Sequence, residues 1–138
     1  MTEIRTAQAP SVHRLPAAVA PILAVEAVSL GVMSFLHLTG TLAGSGSARP
    51  APAGMAEALI GVVLVVAAAI SWRVPDRAWP FALGAIVFAL IGFAVGISIT
   101  IRGGAAVDIA YHATMLPILV ATLVLILRGS GRRATLVS

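Results

Sequence analysis

The sequence contains no cysteine and no lysine, and charged residues of any kind are few. Without cysteine, disulfides, thiol redox chemistry and thiolate metal sites are all excluded. Charged residues make up 10% of the 138 residues and hydrophobic residues 59%, whereas a soluble domain carries about 25% charged residues. Because these charges are too few to cover a water-exposed surface, we expect lipid to cover most of the protein.

The nine basic residues are all arginine, and they are spread between apolar runs of the sequence. A nucleic-acid-binding surface needs basic side chains clustered on one face or along one helix. We therefore expect no nucleic-acid partner, and we interpret the arginines as signals of membrane topology.

Four apolar runs divide the sequence, and each is close to the roughly 20 residues that a helix needs to cross a bilayer core. Short breaks at residues 40–53, 73–77 and 102–104 contain glycine or proline, which end helices. Short connections place neighbouring helices antiparallel. The sequence thus predicts an all-α, antiparallel bundle of four transmembrane helices, with polar tails at 1–16 and 128–138 and helices at about 17–39, 55–72, 79–101 and 107–127.

The arginine distribution predicts the orientation of the bundle, because short cytoplasmic segments carry an excess of basic residues. In the four-helix layout Arg49 and Arg102 lie on one side of the membrane. The opposite side carries Arg5, Arg14, Arg73, Arg77, Arg128, Arg132 and Arg133. We therefore expect both termini to be cytoplasmic. Abundant alanine and arginine without lysine or asparagine suggest a GC-rich bacterial genome, and hence a multi-pass protein of the bacterial cytoplasmic membrane.

The third run carries a stripe of small residues, which permit close approach of two helices in lipid. The stripe consists of Ala85, Ala89, Gly92, Gly96 and Thr100. Its partner is either another helix of the same chain or a second copy. Gly92 and Gly96 therefore also mark a candidate interface for a homo-oligomer or a larger membrane complex.

Glu26 lies near the middle of the first run, where a charged side chain costs about 2.5–3.5 kcal/mol on insertion scales. We therefore expect Glu26 to face the interior of the bundle or a hydrated cavity. Two interpretations are open. Glu26 is either a proton carrier or substrate-binding acid, or a protonated glutamate that hydrogen-bonds a neighbouring helix in a structural role.

Further polar and ionisable side chains fall at the end of the bundle that we predict to face outward. They come from all four helices: His37, Glu57, Arg102, Asp108, Tyr111 and His112. Glu26 and His37 are eleven residues apart and share one helix face, about 16 Å apart along the axis. Together these residues predict a ligand-binding pocket with Glu26 at its floor. Alternatively, they lie at helix ends because water and head groups are near, with Asp108 as a helix cap that pairs with Arg102.

Two cofactors suit the pair of histidines in this predicted pocket. Haem b held by His37 and His112 on facing helices is one, because bundles commonly bind haem in this way. A divalent metal ion bound by His37, His112 and one or both of Glu57 and Asp108 is the other, since histidine with carboxylate suits zinc, iron or manganese.

Three runs carry a family resemblance: PILAVEAVSLG at 21–31, GMAEALIGVVLVV at 54–66 and DIAYHATMLP at 108–117. They resemble runs in small actinobacterial four-helix membrane proteins of uncharacterised function. More distantly, residues 17–127 are similar to DoxX-like proteins. The resemblance implies a four-helix bundle in the cytoplasmic membrane and association with a larger membrane or redox system. It implies no particular reaction, and the cysteines of thiol-active DoxX-like relatives are missing here.

From these features we favour an accessory membrane protein, over an enzyme, that binds a small ligand or lipid in the outer pocket or serves a partner complex. A membrane redox protein that holds haem or quinone through His37 and His112 is one alternative. A small oligomeric transporter with Glu26 as its coupling acid is another.

Overall fold

The computed structural model describes residues 14–42 and 50–131, which form four α-helices. The helices are α1 (Val19–Leu38), α2 (Pro50–Arg73), α3 (Trp79–Thr100) and α4 (Ala106–Gly131). Consecutive helices pack against one another, and α1 also contacts α4, so the four helices close into a ring. The predicted all-α class with four helices is confirmed.

The part of the chain that the structure describes omits much of both tails and half of the first connection. The predicted N-terminal tail, the basic C-terminal tail and the polar break at 40–53 therefore lie largely outside the described residues, as do Arg5, Arg49, Arg132 and Arg133. The cytoplasmic placement of both termini stays a prediction.

Each of the four helices is long and apolar enough to cross a membrane. Large apolar side chains lie on the outside of the bundle, as Val25 (70% exposed) and Phe35 (65% exposed) illustrate on α1. On the same helix the polar side chains of Glu26 and His37 are buried. An apolar exterior with polar side chains turned inward is the arrangement expected of a bundle solvated by lipid, because lipid cannot hydrogen-bond polar groups.

Helix α2 begins at Pro50, five residues before the predicted start at residue 55. Its first turn contains both Pro50 and Pro52. Proline is tolerated there because the first backbone N–H groups of a helix have no partner within it. The Pro-rich composition of this stretch predicted a loop, whereas the structure uses it as the first turn of the helix.

The small-residue stripe of α3 faces other helices of the same chain. A Cβ atom added at Gly92 would lie 2.5 Å from Cδ1 of Ile60 on α2, and one added at Gly96 would lie 2.5 Å from Nε2 of His112 on α4. Ala85 is buried as well. This placement favours the intramolecular alternative for the stripe, and an oligomer formed through Gly92 and Gly96 stays a prediction.

Candidate functional site

A buried cluster of one histidine and two acids joins three helices at one end of the bundle. His37 of α1 lies between Glu57 of α2 and Asp108 of α4: its Nδ1 is 2.7 Å from Glu57 Oε2 and its Nε2 is 3.4 Å from Asp108 Oδ2. All three side chains are at least nine-tenths buried. Each ring nitrogen of His37 therefore faces a carboxylate oxygen. We call these three residues the His–acid cluster.

Two oxygen atoms of the His–acid cluster have no hydrogen-bond partner. They are Oε1 of Glu57 and Oδ1 of Asp108, and both are shielded from solvent. Leaving a buried polar group unpaired costs about 1–3 kcal/mol, and more for a charged group. These oxygens are therefore available to a ligand that has positive charge or donates hydrogen bonds.

The spacing of the cluster suits a metal ion. One ligand atom from each of His37, Glu57 and Asp108 lies within 4.8 Å of the other two. Two ligands of one zinc ion are separated by at most roughly 4.4 Å, because each bond is about 2.0–2.2 Å long. The 4.8 Å limit within which the three ligand atoms lie exceeds that separation by about 0.4 Å.

His112 contacts the cluster through Asp108. Its Nδ1–H donates to the backbone carbonyl of Asp108 at 3.0 Å, and the same nitrogen is 3.1 Å from Oδ1 of that carboxylate. The hydrogen bond goes to the carbonyl, whereas the approach to Oδ1 is an electrostatic contact. The ring of His112 also packs on Phe93 and Tyr111, with centroid distances of 5.1 and 5.9 Å. His112 thus positions Asp108 and lies outside the group of three ligand atoms.

Close packing of α1 against α2 brings His37 to Glu57. Gly54 lies at the contact: a Cβ there would be 3.0 Å from the carbonyl oxygen of Ser34 and 3.1 Å from Cβ of His37. The Ser34 hydroxyl donates to the Gly54 carbonyl at 2.7 Å. Because glycine has no side chain, the two backbones approach closely enough for the short His37–Glu57 contact.

Three other residues of the predicted pocket lie away from the His–acid cluster. Arg102 is exposed at the end of α3, and within residues 14–42 and 50–131 no ion pair joins it to Asp108. The Tyr111 hydroxyl lies 3.1 Å from the hydroxyl of Ser29, so it forms a hydrogen bond between α4 and α1. Glu26 contacts Thr122 of α4 farther along the bundle. The structure brings together His37, Glu57, Asp108 and His112, and it separates them from Glu26.

Hydrogen bonds between helices also come from Ser29, Ser34 and Thr122, which were not predicted from the sequence. Thr122 lies 96 residues from Glu26 in sequence, and no local pattern connects the two. Ser29 had a weak signal, because a residue three positions after Glu26 lies on the same helix face. Hydroxyl residues in apolar helices are common, so their partners become visible only when the helices are packed.

The chain matches no protein-family model, no curated protein and no solved structure. The resemblance to DoxX-like proteins is therefore not supported by these comparisons. What the findings establish is a small protein with four candidate membrane-spanning helices and a buried cluster of histidine and acidic side chains.

Proposed function

We propose that this protein is a multi-pass membrane protein that binds a divalent metal ion at the His–acid cluster. The observation that carries the proposal is the pair of buried carboxylate oxygens, on Glu57 and Asp108, that have no hydrogen-bond partner. Both acids lie beside His37, and one ligand atom from each of the three side chains is within 4.8 Å of the other two. A metal ion would give both oxygens a partner.

Charge balance supports a divalent cation. Two ionised carboxylates and a neutral imidazole carry a net charge of −2, which is costly to bury in a bundle surrounded by lipid. A divalent ion bound by the three side chains neutralises that charge. The metal-free alternative is a protonated cluster, with the proton on the His37 imidazole or on one carboxyl group, and a single proton still leaves one negative charge.

The ligand set indicates the class of metal. Imidazole nitrogen favours zinc, iron, copper and nickel, whereas carboxylate oxygen favours harder ions such as manganese. One nitrogen with two carboxylates therefore fits zinc, ferrous iron or manganous ions best. Three protein ligands leave further coordination positions for water or a substrate, as in catalytic zinc sites.

The haem alternative is not favoured by the geometry. The carboxylate of Asp108 lies between the two imidazoles, 3.4 Å from His37 Nε2 and 3.1 Å from His112 Nδ1. A haem held by both histidines requires its porphyrin ring in that space. Nε2 of His112 in turn lies against Gly96 of α3. Haem binding would therefore require these helices to repack.

Metal titration of the purified protein tests the proposal. The full-length chain in lipid nanodiscs is freed of metal with a chelator and titrated by calorimetry with zinc, manganous and anaerobic ferrous ions. We expect one ion per chain. Glu57→Gln and Asp108→Asn should each weaken binding by more than the roughly 10- to 100-fold that follows loss of a hydrogen-bond partner of a ligand. Glu26→Gln and Arg102→Gln are controls and should bind like the unaltered protein.

Two outcomes would overturn the metal proposal. One is the absence of stoichiometric binding of any of the three ions by a folded, chelator-treated sample. The other is an affinity in the Glu57→Gln and Asp108→Asn variants that equals the affinity of the unaltered protein. An ultraviolet–visible spectrum of the same sample before chelation, oxidised and dithionite-reduced, tests the haem alternative. A Soret band that shifts on reduction would show that the protein binds haem and would overturn the divalent-metal proposal.

A further inference from the structure

Among the described residues, Glu26 is the one buried acid that lies outside the His–acid cluster. It lies on α1, eleven residues before His37, which corresponds to about 16 Å along a helix. Its side chain is 2% exposed, and its Oε2 atom has no hydrogen-bond partner. Across the described segments, 14–42 and 50–131, no ion pair includes Glu26. Within these segments no basic side chain compensates a negative charge on Glu26.

The two contacts of Thr122 bear on the protonation of Glu26. The Thr122 hydroxyl oxygen lies 2.7 Å from Glu26 Oε1 and 3.0 Å from the carbonyl oxygen of Ile118. A threonine hydroxyl has one hydrogen and two lone pairs. It can donate to the carboxyl or to the carbonyl, and the carbonyl oxygen can only accept. With an ionised Glu26, one of these two short contacts would lack a hydrogen.

A proton on Glu26 satisfies both contacts. The carboxylic acid then donates from Oε1 to Thr122, and the Thr122 hydroxyl donates to Ile118. The remaining atom, Oε2, becomes a neutral carbonyl oxygen, which is far less costly to leave unpaired than a carboxylate oxygen.

The position of Glu26 also suits proton exchange. It lies where α1 faces α4, and the polar contacts between these two helices continue from Glu26 toward the His–acid cluster. Ser29 donates to the backbone carbonyl of Glu26 at 2.8 Å, and its hydroxyl is 3.1 Å from that of Tyr111. Asp108 and His37 contact each other across the same two helices. The interface between α1 and α4 therefore contains three polar contacts in succession along the helices: Glu26–Thr122, Ser29–Tyr111 and His37–Asp108.

From this geometry we propose that Glu26 is a proton-binding site, in which the carboxyl group holds an exchangeable proton shared with Thr122 in the middle of the bundle. The ligand is the proton itself. The site is separate from the His–acid cluster and does not depend on whether a metal binds there.

Infrared spectroscopy of the full-length protein in lipid tests this proposal. The C=O stretch of a protonated carboxyl group is resolved from the bands of a carboxylate, and the spectrum of the unaltered protein minus that of Glu26→Gln isolates the contribution of Glu26. We expect a protonated-acid band at neutral pH that shifts when the sample is equilibrated with D₂O. In Thr122→Val the band should move to higher frequency, because the hydrogen bond is lost. Thr122→Ser, which keeps the hydroxyl, should retain the original band.

Either of two results would overturn the proton site. Absence of the protonated-acid band would show that Glu26 is ionised. A band that is present but unchanged after long equilibration in D₂O would show a proton locked in a structural hydrogen bond. Both readouts use metal-free protein, so they are independent of the metal titration.

Discussion

Gly96 of α3 lies directly against the imidazole of His112 on α4, and a Cβ atom at position 96 would be 2.5 Å from Nε2. His112 in turn donates a hydrogen bond to the backbone of Asp108. The absence of a side chain at one position on α3 thus leaves room for the imidazole that contacts an acid of the His–acid cluster on α4.

Substitution of Gly96 by alanine should therefore weaken metal binding. The added methyl group must displace the His112 ring, and Asp108 then loses the contact that orients it. We expect a loss of affinity at the lower end of the roughly 10- to 100-fold range seen when a hydrogen-bond partner of a metal ligand is removed, because His112 contacts the Asp108 carboxylate at 3.1 Å but donates its hydrogen bond to the backbone. Gly84→Ala is the matched control, since a Cβ there meets nothing within 4 Å. Unchanged affinity in Gly96→Ala would show that His112 does not position Asp108.

Substitution of Gly54 by alanine should destabilise the contact between α1 and α2. A Cβ at this position would lie 2.8 Å from Cγ of Leu38 and 3.0 Å from the backbone oxygen of Ser34. The backbone oxygen cannot rotate away, so the helices must separate. We expect a loss of about 1–3 kcal/mol in the free energy of unfolding, as for other overpacked positions. Reversible unfolding in mixed micelles measures it, with Gly31→Ala as the control because a Cβ at Gly31 meets nothing within 4 Å. Equal stability of the two variants would contradict the close packing of α1 on α2.

The buried pair of His37 and Glu57 should show strong coupling in a double-mutant cycle. Removing one partner of a buried pair typically costs about 3–5 kcal/mol, because the other is left uncompensated. In metal-free protein His37→Leu should therefore destabilise the fold strongly. Combining it with Glu57→Leu should recover part of the loss, since an apolar pair leaves no unpaired charge at that contact. Additive effects of the two substitutions, measured by the same unfolding assay, would show that the pair is not coupled.

The orientation of the bundle can be tested with single cysteines, because the natural chain has none. Pro75 lies in the exposed turn between α2 and α3, and Ala106 is exposed at the start of α4. With cytoplasmic termini, Pro75→Cys should be protected from a membrane-impermeant maleimide in intact cells, and Ala106→Cys should be labelled. Both should react after the membrane is permeabilised. The reverse pattern in intact cells would invert the predicted topology.

Most residues of the candidate site could be predicted from the sequence. Which of them lie together in the His–acid cluster, and which lie elsewhere, could not. His37, Glu57 and Asp108 were each recognisable as polar residues near the same end of a predicted bundle, since topology alone places the end of one helix beside the start of the next. Arg102 met the same criterion, yet its side chain is exposed. Position along a helix predicts depth in the membrane, whereas the rotation of each helix about its axis decides which side chains face inward.

The sequence by itself determined the class of fold, because four apolar runs of bilayer length leave helices as the structure that satisfies every backbone hydrogen bond within its own segment. It also determined that Glu26 needs a buried environment, since a charge in the middle of such a run is costly. Only the tertiary structure decided that Glu26 meets Thr122 while His37 meets Glu57 and Asp108. These contacts depend on the rotation of each helix about its axis and on the close approach of helices at glycines. Both result from packing between segments that are distant in sequence, so no single segment carries a periodic pattern that predicts them.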